Sequence, residues 1–141
     1  RLGAPVFTAA NAITDWLKQQ KAEKIGLLTP YPNWLNEHAI DYWTSSGFEV
    51  EESSLIDIKS DNTYAIYDQQ SADAREALHR LMDIEVDAFL ISGTGMPSLP
   101  IIKEVTAAGR LIVSSNLALA IAGLKILGQV PTLSDSWTSA P

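Results

Sequence analysis

The sequence predicts an α/β fold, a doubly wound parallel sheet of about four strands flanked by helices. Three observations carry this. Short apolar runs recur at 24–29, 88–91 and 111–113. Stretches with apolar residues at helical spacing lie between and after them, and glycines stand where those stretches end. Strand alternating with helix is the pattern of a parallel sheet with helical crossovers, taken here as right-handed.

Each element follows from its residues. Lys24-Ile25-Gly26-Leu27-Leu28-Thr29 ends at Pro30 and reads as a buried strand. Asn33 to Ser46 reads as a helix carrying Leu35, Ala39, Ile40 and Trp43, with Gly47 as its stop. Phe48-Glu49-Val50-Glu51 alternates apolar and charged, which predicts a half-exposed strand at a sheet edge. Ser71 is expected to cap a helix whose stripe is Ala74, Ala77, Leu78, Leu81 and Met82, with Glu76 and Arg80 paired on its wet face. Ala88-Phe89-Leu90-Ile91 is apolar throughout, as a central parallel strand should be. Ser98 is expected to cap the next helix, with Pro100 in its first turn and Gly109 at its end. Leu111-Ile112-Val113 reads as the last strand, and Asn116 to Leu127 as a long apolar helix closed by Gly128. Edge-like and core-like strands together predict the order 48–24–87–111. Trp16, Trp34 and Trp43 are expected in packing, and His38 and His79 on solvated helix faces.

Residues 1–20 read as a strand–helix arm. Gly3-Ala4-Pro5-Val6-Phe7-Thr8-Ala9 parallels Gly109-Arg110-Leu111-Ile112-Val113-Ser114-Ser115 at an offset of 106. Either the two are generic strand–helix units, or the arm belongs to a preceding, duplicated half. Residues 21–128 would then be the domain proper and 129–141 a polar tail that Trp137 could anchor. The chain starts at Arg1 without a methionine and is expected to be a piece of something longer.

Composition narrows the function. The net charge is −7, with Glu49, Glu51 and Glu52 clustered, which argues against a nucleic-acid groove. There is no cysteine, so this chain holds no disulfide, thiolate metal site or thiol nucleophile. His38 and His79 lack ligand spacing, and no metal is expected. No apolar run approaches a membrane span and no secretory signal is visible, so the expected location is cytoplasmic.

In open parallel sheets ligands bind beyond the carboxyl ends of the strands. Three polar stretches fall there: Thr29-Pro30-Tyr31, Ser92-Gly93-Thr94-Gly95 and Ser114-Ser115-Asn116. Adjacent strands are about 4.8 Å apart, so three such loops can converge on one small molecule. Each leads into a helix whose first turn favours negative charge. Hydroxyls and glycine N–H groups without a lysine or arginine suit a carboxylate better than a polyphosphate. Gly93-x-Gly95 lacks both the dinucleotide fingerprint and the phosphate-loop lysine. Plainer readings stand beside these. Ser92–Gly95 could be a tight turn, Ser114–Asn116 a helix cap, and Tyr31 a turn aromatic on Pro32. Asn36 could point into the cleft or hydrogen-bond the local backbone.

"KIGLLTPYPNWLNEHA", "DAFLISGTGMPSL" and "RLIVSSNLALAIAGLKILG" resemble segments of the maleate cis-trans isomerases and arylmalonate decarboxylases of the aspartate/glutamate racemase superfamily, and "GAPVFTAANAITDWL" resembles the end of their first half. The similarity spans roughly residues 3 to 128. It implies one Rossmann-like half of a pseudo-symmetric, cofactor-independent enzyme that holds a small (di)carboxylic acid between halves. The partner would be a homologous N-terminal half or another subunit, with a homo-oligomer also open; neither nucleic acid nor membrane is expected. Carried over, Tyr31 would stabilise a carboxylate or oxyanion and Asn36 would bind or orient substrate. The Thr94 N–H would join an anion hole, with Ser115 and Asn116 lining the site. Where the family carries a cysteine, this chain has Gly93. Any catalytic thiol would come from outside the chain, or the fold would be a carboxylate-binding or regulatory module that has lost it.

Overall fold

The structure is a computed structural model, and it describes residues 6–56, 67 and 69–129. Four parallel strands form one sheet: β1 (Lys24–Thr29), β2 (Glu49–Leu55), β3 (Ala88–Ile91) and β4 (Ile112–Ser114), in the order β2-β1-β3-β4. This is the predicted order. Among the described residues five helices flank the sheet: α1 (Ala9–Gln19), α2 (Asn33–Ser45), α3 (Ser71–His79), α4 (Leu99–Ala107) and α5 (Ser115–Ile126). Helix stops fall where predicted, at Gly47, Gly109 and Gly128.

β1 and β3 are central because both their faces are apolar. Ile25, Leu27, Leu28, Phe89, Leu90 and Ile91 are fully buried. A close approach fixes the seam between the two strands. A Cβ on Gly26 would lie 2.9 Å from Phe89 Cδ1, so the Phe89 ring occupies the space a side chain would need. The Arg110 guanidinium sits 4.9 Å from the centre of that ring and donates to the carbonyls of Met82 and Ile84.

β2 is the predicted edge strand, but it runs on to Leu55. Its polar continuation is used rather than tolerated. Ser53 accepts from Asn36, Ser54 accepts from Arg80 Nε, and the Leu55 carbonyl accepts from Arg80 Nη2 at 2.7 Å. The Glu76–Arg80 ion pair is present at 3.7 Å, but Arg80 is held chiefly by β2. Glu49 and Glu51 are not a bare acidic patch, because Lys24 Nζ reaches both, at 3.2 and 3.5 Å.

Two caps differ from expectation. Gln70, not Ser71, caps α3: its side chain accepts from the Asp73 N–H while Asp73 accepts from the Gln70 N–H. Ser71 instead donates to the Pro97 carbonyl. Ser98 stands at the α4 N-cap, yet its hydroxyl makes no cap bond and donates to Ser114 Oγ at 2.9 Å. Trp16 and Trp43 are buried as expected; Trp34 is not, being 59 % exposed with its ring edge-on to His38. α2 carries aromatic residues on both faces, and only one face can meet the sheet.

The predicted strand of the N-terminal arm lies partly in residues 1–5, outside those described; residues 6–8 are not in a strand. α1 is capped by Thr8, whose hydroxyl oxygen accepts from the Asn11 N–H. It buries Ala12, Ile13, Trp16 and Leu17 and packs on α5, completing this core. The predicted tail anchor, Trp137, lies outside the described residues.

Asp87 ties the amino ends of β1 and β3 together. Its Oδ2 accepts the N–H groups of Glu23 and Lys24, both at 2.8 Å. These bonds, Lys24 first, hold its carboxyl below the ordinary carboxylate value of 3.8. A depressed carboxyl stabilises the fold above its unfolded value, and that stability is lost as pH falls through the folded one. Solvent screens this exposed carboxyl, so Asp87→Asn is expected to cost less than about 1 kcal/mol near neutrality and to flatten the loss of stability below pH about 4. Urea unfolding at a series of pH values checks this; an unaltered acid limb contradicts it.

Candidate functional site

The parallel register sets the site. Leu28 pairs with Ile91, and Ile91 with Ser114. The residues that follow, Thr29, Ser92 and Ser115, therefore leave the sheet side by side at its carboxyl edge. The amino-terminal turns of α2, α4 and α5 begin just beyond.

The predicted site residues separate into two sets. The inner set is committed to the protein. Thr29 is fully buried, and its hydroxyl donates to Asn36 Oδ1 at 2.7 Å. Asn36 is 6 % exposed, and its Nδ2 donates to Ser53 Oγ at 3.1 Å. Asn36 thus neither opens to solvent nor bonds its local backbone; it bridges the end of β1 to β2. The Ser92 N–H continues the ladder to the Leu28 carbonyl at 2.8 Å. Ser114 is the α5 cap, its Oγ accepting from the Leu117 N–H and from the Ser98 hydroxyl.

The outer set is drawn together around Gly93. The Gly93 N–H donates to Ser115 Oγ at 3.1 Å, linking the β3 loop to the start of α5. Asn116 Nδ2 donates to the Thr94 carbonyl at 3.0 Å, a second link between the same two segments. From the β1 side, Tyr31 Cε1 lies 3.9 Å from where a Gly93 Cβ would stand. Tyr31 and Gly95 are half-buried, while Thr94 and Asn116 are exposed. The Thr94 and Gly95 N–H groups have no acceptor among the described residues. Tyr31, Gly93, Thr94, Ser115 and Asn116 are thus one contiguous cluster built from three strand ends.

The chemistry on offer is hydrogen-bond donation: two N–H groups, hydroxyls, an amide and helix N-termini, with no cation in the loops. Such a set stabilises charge on an oxygen without a counter-ion. Among the described residues no group of three or more His, Asp or Glu is placed to hold a metal. No described helix is long and apolar enough to cross a membrane.

Beside Asn116 lies an open hollow of about 340 Å³, walled by Met96, Pro97, Leu99, Leu117 and Ala120, with Ser98 and Ser114 at its base. The sequence reading missed these walls; the mark it could have used is Met96-Pro97, apolar residues inside an otherwise polar loop. A larger hollow, about 450 Å³, opens at the opposite end of the sheet beside Lys24, Asp87 and Arg110. Asp87 is engaged by N–H groups, Arg110 by carbonyls and Lys24 by glutamates, while Asp83 and Glu85 add two further carboxylates to the lining, which disfavour an anion there. The carboxyl edge is the better candidate, because the Thr94 and Gly95 N–H groups there have no acceptor among the described residues.

Comparison with known proteins places the chain. Residues 1–135 match the arylmalonate decarboxylase family profile, and the chain belongs to that family. It is 33 % identical over 131 residues to a maleate isomerase of Pseudomonas putida, covering 91 % of this chain and 51 % of that protein. It is 34 % identical over 103 residues to the maleate isomerase of Geobacillus stearothermophilus, covering 72 % and 40 %. A cysteine-to-alanine variant of a Pseudomonas putida maleate isomerase, solved with maleate, superposes with a TM-score of 0.80 at 28 % identity, over 89 % of this chain and 50 % of that one. Arylmalonate decarboxylase superposes with a TM-score of 0.75 over 96 % and 60 %; at 19 % identity this likeness shows the fold alone. The chain spans about half the length of the Pseudomonas and Alcaligenes relatives it matches.

The buried bridge can be tested directly. Asn36→Ala leaves the Thr29 hydroxyl without its acceptor, at an expected cost of about 1–3 kcal/mol. The urea midpoint reads this; an unchanged midpoint contradicts the bridging role.

Proposed function

We propose that this chain is one half of a cofactor-independent isomerase or decarboxylase acting on a small (di)carboxylic acid bound between two pseudo-symmetric domains. The observation that carries the reading is the meeting of Tyr31, Gly93, Thr94, Ser115 and Asn116, with two N–H groups unengaged, at the carboxyl edge of the sheet. Family membership supports it. In this reading residues 1–20 descend from a preceding half, residues 21–128 are the racemase-like domain, and residues 129–141 are a tail. The protein works in the cytoplasm.

The two reactions share one electronic demand. Loss of carbon dioxide from a malonate leaves an electron pair that spreads onto the remaining carboxylate. Addition of a thiolate to the double bond of maleate does the same, and rotation about the resulting single bond followed by elimination completes isomerisation. Charge grows on a carboxylate oxygen either way. The Thr94 and Gly95 N–H groups, the Tyr31 hydroxyl and the Asn116 amide would meet that oxygen. Preorganised donors act where charge develops, and removing one such donor typically costs about 100-fold in rate. Gly93 stands where the resemblance places a thiol, so the thiol that adds to or protonates carbon would come from the other half. A thiol-free carboxylate-binding or regulatory protein is the second reading, favoured only by the absence of cysteine from this chain.

The test uses the whole protein with maleate and with prochiral malonates. Turnover is expected, and iodoacetamide is expected to abolish it while leaving acid binding measurable by calorimetry. Asn116→Ala is expected to weaken that binding about tenfold, which is about 1.4 kcal/mol. Binding without turnover supports the second reading. Absence of both contradicts the acid site altogether.

A further inference from the structure

α1 and α5 are two copies of one element. Thr8 caps α1 by accepting from the Asn11 N–H, and Ser114 caps α5 by accepting from the Leu117 N–H, so caps and helix starts keep the offset of the sequence repeat. The helices also touch through equivalent residues: Lys125 Nζ donates to Gln19 Oε1, at an offset of 106. In an isologous pair, a residue that meets its own equivalent lies on the two-fold axis. That axis says what lies across α5. α1 covers the core of this half with Ala12, Ile13, Trp16 and Leu17. The same positions on α5 are Ala118, Leu119, Ala122 and Gly123. Only Ala118 is buried; the other three are half-buried, and Ile126 in the next turn is 57 % exposed. A Cβ on Gly123 would meet nothing within 4 Å. Yet Leu117 to Leu124 holds no polar side chain, and a helix apolar all round belongs inside.

We propose that α5 is shared between two halves: its inner face closes this half, and its outer stripe of Leu119, Ala122, Gly123 and Ile126 seats on the core of a homologous preceding half, as α1 seats on this one. The stripe runs i, i+3, i+4, i+7, the spacing of a core-facing helix, and Gly123 lets the facing surface come close. A second copy of this chain does not fit there, because its own α1 already fills the equivalent place. The occupant is therefore a half whose core stands bare at that place. The proposal rests on the two-domain reading above and gives the helix a role in it. Ser115 and Asn116 at the start of α5 are held against both halves, which sets the donors of this face in register with the opposite one.

Two measurements on the whole protein test this. The thiol introduced by Ile126→Cys is labelled with iodoacetamide and followed at its own peptide by mass spectrometry, beside that of Lys103→Cys on the exposed face of α4. Labelling at 126 is expected to be about 100-fold slower in the native protein and equal in urea, since a covered site reacts only on opening. Labelling as fast as at 103 overturns the proposal. So does protection that is lost on dilution, which assigns the cover to a second copy. Gly123→Leu gives opposite signs for the two cases. On a bare helix face, replacing glycine raises the melting temperature by about 2 °C or more. Under a packed half, the added side chain is expected to lower it by about 3 °C or more. A rise or no change overturns the proposal. If Gly123→Leu yields no folded protein, the labelling at 126 decides alone. Neither readout involves an acid. Turnover with free labelling overturns this proposal and leaves the acid site standing, and protection without acid binding does the reverse.

Discussion

The register between three adjacent parallel strands is the constraint on which the rest of this structure depends. With Leu28 opposite Ile91 and Ile91 opposite Ser114, the strand ends are level. Parallel strands buried on both faces have little freedom to slip, because a one-residue shift would turn every side chain to the other face. Phe89, seated against Gly26 and covered by Arg110, locks β1 to β3. From that alignment the loop glycine finds Ser115, and Thr94 finds Asn116.

Around the sheet's carboxyl edge the polar groups do two kinds of work. Thr29, Asn36 and Ser53 form one hydrogen-bonded group and Ser98 and Ser114 another, and together they shape the loops. Buried polar groups of this kind are costly unless paired, and here each has a protein partner. Above them, the N–H groups of Thr94 and Gly95 face no protein acceptor among the described residues. A rigid, satisfied lower layer under an unsatisfied upper one is what a preorganised anion site requires. The far end of the sheet sets Asp83, Glu85 and Asp87 against Lys24 and Arg110, so its larger hollow is acidic and ill suited to an anion.

The sheet order is legible in the sequence because burial on two faces leaves a simple mark: unbroken apolar runs for β1 and β3, alternation for β2. The polar second half of β2 is not, because Ser53 and Ser54 are useful only once Asn36 and Arg80 arrive from other elements. The α3 cap reads as Ser71 in the sequence, since serine is the commoner capping residue and the reciprocal Gln70–Asp73 pair carries a weaker signature. Which of two aromatic faces of α2 is buried also has no mark in spacing alone, which is why Trp34 reads as a packing residue and is not one. Among the candidate site residues, glycines and hydroxyls after apolar strands are readable. The role of Asn36 is not, because its second partner lies 17 residues away.

The central claim is that three strand ends meet around one carboxylate. Amide-resolved NMR of the whole protein titrated with a small dicarboxylate tests it most directly. The expected result is saturable shifts concentrated at Tyr31, at 93–95 and at 115–116, with the Thr94 and Gly95 amides moving furthest downfield. Shifts centred on Lys24, Asp87 and Arg110 at the opposite end of the sheet, or none at any residue, would contradict the account.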